Sequence, residues 1–167
     1  GKYVIKDRSQ PFSREELIEY YQDLDKNYKL LYLEDPIDEN DWDGWQEITN
    51  LLGSEMMIVG DDLLATNKER LQKAIEQKAC NAILVKPNQA GTLTETLEVI
   101  KTAQEAGFKT IVSHRSGETE ETFVADLAVG AGADYVKFGA PARGERVAKY
   151  NRLLAIESEL QRPIIGT

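Results

Sequence analysis

Ala82-Ile83-Leu84-Val85-Lys86-Pro87 is the stretch that decides the fold. Four apolar residues in a row fit a strand buried on both faces, as strands of parallel sheets are. The run closes on a lysine, and Pro87 biases Lys86 toward extended backbone, as suits a strand end. The same plan recurs on either side: KLLYLE at 29–34, MMIVG at 56–60, KTIVSH at 109–114 and YVKF at 135–138. Each strand ends on or beside a residue able to do chemistry: Glu34, Asp61, Lys86, His114 and Lys137. Their spacings are 27, 25, 28 and 23 residues, close to the ~30 residues of one βαβ unit. That rhythm predicts a βα barrel, whose active site is assembled at the C-terminal ends of its strands. An open five-stranded sheet is the alternative. A barrel closes with eight strands. Five are clear here and Lys2–Lys6 is a sixth candidate, so the expected fold is α/β: a partial TIM-type (β/α) barrel of about five to six of eight units.

Helices fill the intervals. Ser13 and Glu16 form a capping box for a helix over about 13–27. A second helix runs from about Trp42 to Leu52 and stops at Gly53. Asn67 caps a third, to about Lys78. Thr92 and Glu95 form another capping box, for a fourth helix that ends at Gly107. Two more are expected over about 119–129 and 145–161, and the tail RPIIGT reads as irregular.

Bulk composition narrows the function. The chain has 167 residues, 41% hydrophobic and 29% charged, with a net charge of −9. That suits a soluble globular domain. It argues against generic binding to nucleic acid or anionic membranes, because no basic excess meets the phosphates. One anionic small molecule in a locally basic pocket stays open. Cys80 is the only cysteine, which excludes an intramolecular disulfide and fits a reducing cytosol. No apolar run approaches the roughly 20 residues of a membrane span. GKYVIKDRSQ lacks the apolar core of a signal peptide. It also lacks an initiator Met, so the chain is expected to be a piece of a longer protein.

The motifs specify chemistry. Glu34-Asp35 and Asp61-Asp62 each put two acids at a strand end. Successive strand residues point to opposite faces, so one acid of each pair should face the mouth and the other serve structure. Carboxylates from neighbouring strands suit Mg²⁺, which takes oxygen ligands plus water and substrate; capping of the next helix is the plain alternative. A lysine works as a base only where something disfavours its protonated form, and Mg²⁺ or Lys137 could do that for Lys86. The plain alternative is a lysine snorkelling to the surface. Ser113-His114-Arg115-Ser116-Gly117-Glu118-Thr119 is the densest polar cluster. Its guanidinium, its hydroxyls and a following helix N-terminus all favour phosphate. With one histidine a three-histidine zinc site is excluded, and no Gly-x-Ser-x-Gly elbow supports a serine hydrolase. Arg143 and Arg146 read as helix or salt-bridge residues.

Taken together, LEDP at 33–36, VGDDL at 59–63, VKPNQAGT at 85–92, SHRSGET at 113–119 and VKFGAPARGERVAKYN at 136–151 resemble enolase (phosphopyruvate hydratase). The resemblance covers nearly the whole chain. It implies the C-terminal portion of the enolase barrel over residues 1–167, without the family's N-terminal α+β domain. It implies Mg²⁺-dependent dehydration of 2-phosphoglycerate to phosphoenolpyruvate, in glycolysis. By motif, Glu34 and Asp61 are similar to two of the three metal carboxylates, and Lys86 to the base that removes the proton alpha to the carboxylate. Lys137 resembles a substrate-carboxylate contact, Arg115 and Ser116 phosphate contacts, and His114 a substrate-pocket residue. In the family, the third metal carboxylate, the acids that assist hydroxyl departure and the closing loop precede residue 1. Ala90 replaces a branched apolar residue and Gly144 a serine.

The resemblance further implies a homodimeric parent, a cytoplasmic location with the cell surface as a second one, and little or no activity for this stretch alone. A non-catalytic surface-binding or assembly module is the alternative. The C-terminus lacks the lysine that such binding usually uses. A related acid-sugar enzyme fits poorly, because SHRSGET looks built for phosphate.

Overall fold

The computed structural model describes residues 2–6 and 10–161. Ser13 opens α1 (Arg14–Tyr28) with the expected capping box: its hydroxyl accepts from the Glu16 amide, and Glu16 answers at the Ser13 amide. Then follow β1 (Tyr32–Glu34), α2 (Trp42–Leu52), β2 (Met57–Gly60), α3 (Lys68–Gln77), β3 (Ala82–Val85), α4 (Pro87–Ala90) and α5 (Leu93–Glu105). The chain continues with β4 (Lys109–Ser113), α6 (Phe123–Gly130), β5 (Tyr135–Lys137) and α7 (Gly144–Leu160). Asn67 and Thr92 cap α3 and α5 through their side-chain oxygens.

The five strands form one parallel sheet in the order β1-β2-β3-β4-β5. Each connection carries a helix, as parallel neighbours require. The sheet is a curled half-barrel, and one contact measures the curl. In a flat sheet β1 and β5 would stand roughly 19 Å apart, four strand spacings. Yet Lys137 Nζ, from the end of β5, lies 2.6 Å from both carboxylate oxygens of Glu34, at the end of β1.

Register sorts the side chains into two layers. Glu34 pairs with Val59, Val59 with Ala82, Leu84 with Ile111, and Ser113 with Lys137. Met57, Val59, Ala82, Leu84 and Ile111 form the inner cluster. Residues of the opposite parity, Ile58, Ile83, Val85 and Val112, join the larger core under the helices with Leu17, Trp45, Ile48 and Leu71. Continued by alternation, the inner face carries Glu34, Asp61, Lys86, Ser113 and Lys137 at its upper rim.

Several elements differ from expectation. Lys2–Lys6 adds no sixth strand; Tyr3 only bridges Phe12, antiparallel. The run KLLYLE predicts a first strand buried on both faces from residue 29. Instead Lys29 is the left-handed cap of α1 (φ 52°) and the Leu30 amide bonds to the Asp25 side chain, so the strand starts later. It lies at a sheet edge, and Leu31 and Tyr32 are 63% and 37% exposed. Helix α6 begins at Phe123 rather than near Thr119, because residues 119–121 are tied to α7 (below). The tail RPIIGT lies outside the described residues.

Candidate functional site

Two ion pairs stand at the upper rim. Asp61, just past β2, receives Lys86 Nζ at 2.5 Å on Oδ2. Glu34 receives Lys137 as described. The first pair is nearly enclosed, with side chains 14% and 9% exposed; the second is more open, at 38% and 23%. The neighbouring acids do other work. The Asp35 carboxylate accepts the amide N–H groups of Asp61 (2.9 Å) and Asp62 (2.8 Å), tying the end of β1 to the turn after β2. Burial raises the Asp35 carboxyl above its ordinary range, against the pull of those two amides. Asp62 is exposed.

The oxygen donors fit a divalent cation. Asp61 is only 7% exposed, and its Oδ1 is buried with no hydrogen-bond partner among the described residues. A buried carboxylate oxygen left bare is unfavourable unless something positive meets it. Among the described residues one trio, Asp35, Asp61 and Asp62, brings carboxylate oxygens within 4.8 Å of one another. Glu34 is outside that trio, with both oxygens on Lys137.

The other half of the mouth is the loop after β4. The His114 amide donates to the Lys137 carbonyl at 3.0 Å, joining the ends of β4 and β5. The Arg146 guanidinium, from the first turn of α7, packs on the His114 ring and contacts both Nδ1 and Nε2. Burial, and then the Arg146 charge, lower the His114 pKa. Gly139 makes room for that ring: a Cβ there would come within 2.7 Å of His114 Cε1, and its φ of +83° suits glycine. Arg115 and Ser116 are exposed. The Arg115 guanidinium reaches Asn88 Oδ1 at 3.2 Å, linking this loop to α4.

Helix α7 holds the loop in shape. Arg146 donates to the carbonyls of Arg115 (3.2 Å) and Ser116 (3.1 Å). Lys149, with no exposed surface, donates to the carbonyls of Thr119 and Glu121 and to Glu145 of its own helix, at 2.9–3.0 Å. It also pairs with Glu118 at 2.8 Å, whose other oxygen accepts the Arg115 amide at 2.7 Å. Burial alone would raise Glu118. The Lys149 ammonium and the Arg115 amide outweigh it and hold the carboxyl below its ordinary value.

All seven residues singled out from sequence therefore lie at or beyond the C-terminal ends of the strands. Contact joins Glu34 to Lys137, Asp61 to Lys86, and His114 to the Lys137 backbone. Arg143 is the salt-bridge residue expected, 3.9 Å from Glu145. Arg146 is the helix residue expected, in the first turn of α7, and it also braces His114 and the loop. Lys149 was missed. Its signal was its place on the stripe Lys149, Leu153, Ile156, where helical spacing puts a lysine on the core face. Short helix α4 was missed too, although Pro87 at its first position is a known start signal.

The chain matches the family described as "Enolase, C-terminal TIM barrel domain" over residues 1–165. It is 52% identical over 160 residues to the enolase of Acidothermus cellulolyticus, covering 96% of this chain and 37% of that protein. It is 58% identical over 148 residues to the enolase of Kineococcus radiotolerans, covering 89% and 34%. The chain thus spans about a third of the length of the curated relatives it matches.

Proposed function

The chain belongs to the enolase family, and from that premise we propose that residues 1–167 are the C-terminal portion of a phosphopyruvate hydratase barrel. The parent reaction is dehydration of 2-phosphoglycerate to phosphoenolpyruvate, a glycolytic step, in a cytoplasmic homodimer. One observation carries the reading. Two acids and two lysines from four separate strands meet on one rim, and one acid keeps a bare, buried oxygen.

The difficult event in this reaction is removal of the proton at C2, because it leaves a dianionic carboxylate. Only groups already in place stabilise that charge without reorganising as it develops. Lys86 Nζ takes the C2 proton, and the electron pair moves toward the carboxylate. Lys137 sits beside that carboxylate and meets the growing charge. Glu34 and Asp61 would hold Mg²⁺, which when bound supplies further positive charge at the same place. The two lysines now on those carboxylates fill the role of countercations, so metal binding would free both side chains toward substrate, Lys137 as the ammonium and Lys86 as the neutral amine that a base must be, since a cation beside it disfavours its protonated form. Arg115 and Ser116 bind the phosphate, and His114 packs against the substrate. The C3 hydroxyl then leaves as water, with help that the resemblance assigns to residues outside this stretch. The 167 residues alone are therefore proposed to turn over slowly or not at all.

Grafting the chain in place of the matching stretch of the Acidothermus cellulolyticus enolase tests this. The graft should form phosphoenolpyruvate with Mg²⁺ and lose that activity by several orders of magnitude with Lys86→Ala. A folded graft without turnover, or one indifferent to Lys86→Ala, contradicts the proposal.

A further inference from the structure

We propose that Thr66 is a positioning residue for Lys86, fixing the root of its side chain through the backbone; this rests on the reading of Lys86 as the proton acceptor. Lys86 comes one residue after β3, where the ladder to β4 has ended at Val85–Val112. Its amide N–H donates instead to Thr66 Oγ1 at 2.9 Å. The Thr66 hydroxyl donates onward to Gln89 Oε1 at 3.2 Å, so it is engaged in both directions.

Thr66 is an unusual residue to find there. It is 1% exposed and its φ is 51°, in the left-handed region that β-branched side chains avoid. Ala65 before it has a φ of 46°. No glycine lies between Asp61 and Thr66 to relieve this stretch. Such a conformation persists only where its surroundings over-determine it, and here they do. The Asp61 carbonyl accepts the amides of Leu64 (3.2 Å) and Ala65 (2.7 Å), and the Leu64 carbonyl accepts the Asn67 amide at 2.8 Å. Leu63 and Leu64 are fully buried. Gly60 admits Leu64, since a Cβ there would stand 2.7 Å from Leu64 Cγ.

The same six-residue loop therefore grips Lys86 at both ends. Asp61, its first residue, holds Nζ; Thr66, its last, holds the amide. Pro87 restricts Lys86 from the other side, and the residue is extended, at φ −125° and ψ 104°. With the amide anchored, little freedom is left at the base of the side chain. Nζ then returns to one place when it leaves Asp61.

Thr66→Val keeps the branch and removes the hydroxyl; Thr66→Ser keeps the hydroxyl. In the 167-residue chain, hydrogen exchange at the Lys86 amide should rise roughly tenfold or more in Thr66→Val, the scale of a lost hydrogen bond. Acylation of Lys86 Nζ at fixed pH, mapped by peptide mass spectrometry, should change severalfold, with Lys137 unaffected. Thr66→Ser should restore both readouts. Gln89→Leu, which leaves Thr66 in place, should give the same changes at smaller amplitude and serves if Thr66→Val does not fold. In the graft, Thr66→Val should lower kcat and leave KM unchanged. Unchanged Lys86 readouts in Thr66→Val, or in Gln89→Leu if that variant alone folds, overturn the proposal. So does a Thr66→Ser variant as altered as Thr66→Val. Exchange and acylation need no turnover, so a graft lacking activity would sink the assignment of Lys86 as base while this anchoring test still gave its own answer.

Discussion

The acidic half of the mouth and its loop half are built by different means. Glu34, Asp61, Lys86 and Lys137 leave the ends of β1, β2, β3 and β5 on one face, and strand alternation puts them together. His114 to Glu118 leave β4 into a loop with no ladder of its own. Its shape is set from α7, about thirty residues downstream, by Arg146 and the buried Lys149. In the first half the charged groups point into the mouth. In the second, two cations are spent on backbone carbonyls so that Arg115 and Ser116 are presented outward. Chemistry placed by strands and anchorage placed by a helix fail in different ways, and that difference can be measured.

The largest effect should come from Lys149→Met. It leaves loop carbonyls and the half-buried Glu118 without their cation, and breaking a buried pair costs about 3–5 kcal/mol. Urea denaturation should show it, and Lys149→Met combined with Glu118→Gln should lose less than the single change. A loss near zero would mean that the loop supports itself and would erase the contrast. The pair also has a pH signature. The folded Glu118 pKa lies below the unfolded value, so its contribution is complete above the ordinary glutamate range, near 4.5. It is lost as pH falls through the folded pKa. Stability measured from pH 6 to pH 3 should therefore decline less steeply in Lys149→Met.

Lys86→Met should come next. It strips Asp61 of its cation where the side chain is 9% exposed, a loss of about 2–3 kcal/mol by the worth of a charged hydrogen bond. Added Mg²⁺ should restore part of that stability by binding the folded state. No response to Mg²⁺ would count against Asp61 as a ligand.

Lys137→Met should matter less still, because its pair with Glu34 is partly open to water. A loss of about 0.5–1 kcal/mol that shrinks in salt is expected. A large, salt-insensitive loss would mean that the pair holds the two edges of the half-barrel together.

The smallest effect concerns His114, whose pKa burial and Arg146 depress. As the only histidine, it gives an unambiguous NMR titration. The midpoint should lie below 6.5, and Arg146→Ala should raise it. A midpoint that ignores Arg146 would separate the ring from the helix that braces the loop.

What was legible in sequence follows the same division. The five strands and the four rim charges could be read because a short apolar run closed by a charged residue is a local pattern, repeated once per βα unit. The capping box at Ser13, and the Thr92 cap where Glu95 meets the hydroxyl instead of the amide, marked helix starts for the same reason. The edge position of β1 could not be read, since KLLYLE looks like any buried run and only its neighbours decide its exposure. The late start of α6 and the burial of Lys149 depend on a contact between segments about thirty residues apart. Thr66 was hidden more deeply. Nothing in Leu-Leu-Ala-Thr announces a left-handed backbone, which exists there because Leu63 and Leu64 are locked into the core.

In the proposed function the rim charges perform the chemistry and Lys86 moves the proton. The most direct measurement is exchange of the C2 hydrogen of 2-phosphoglycerate with solvent deuterium, in the graft and with Mg²⁺. Exchange should be abolished by Lys86→Ala, whereas Lys149→Met should raise KM for the phosphate ester and leave exchange at saturation. Exchange that continues at its full rate in Lys86→Ala would contradict that role of Lys86.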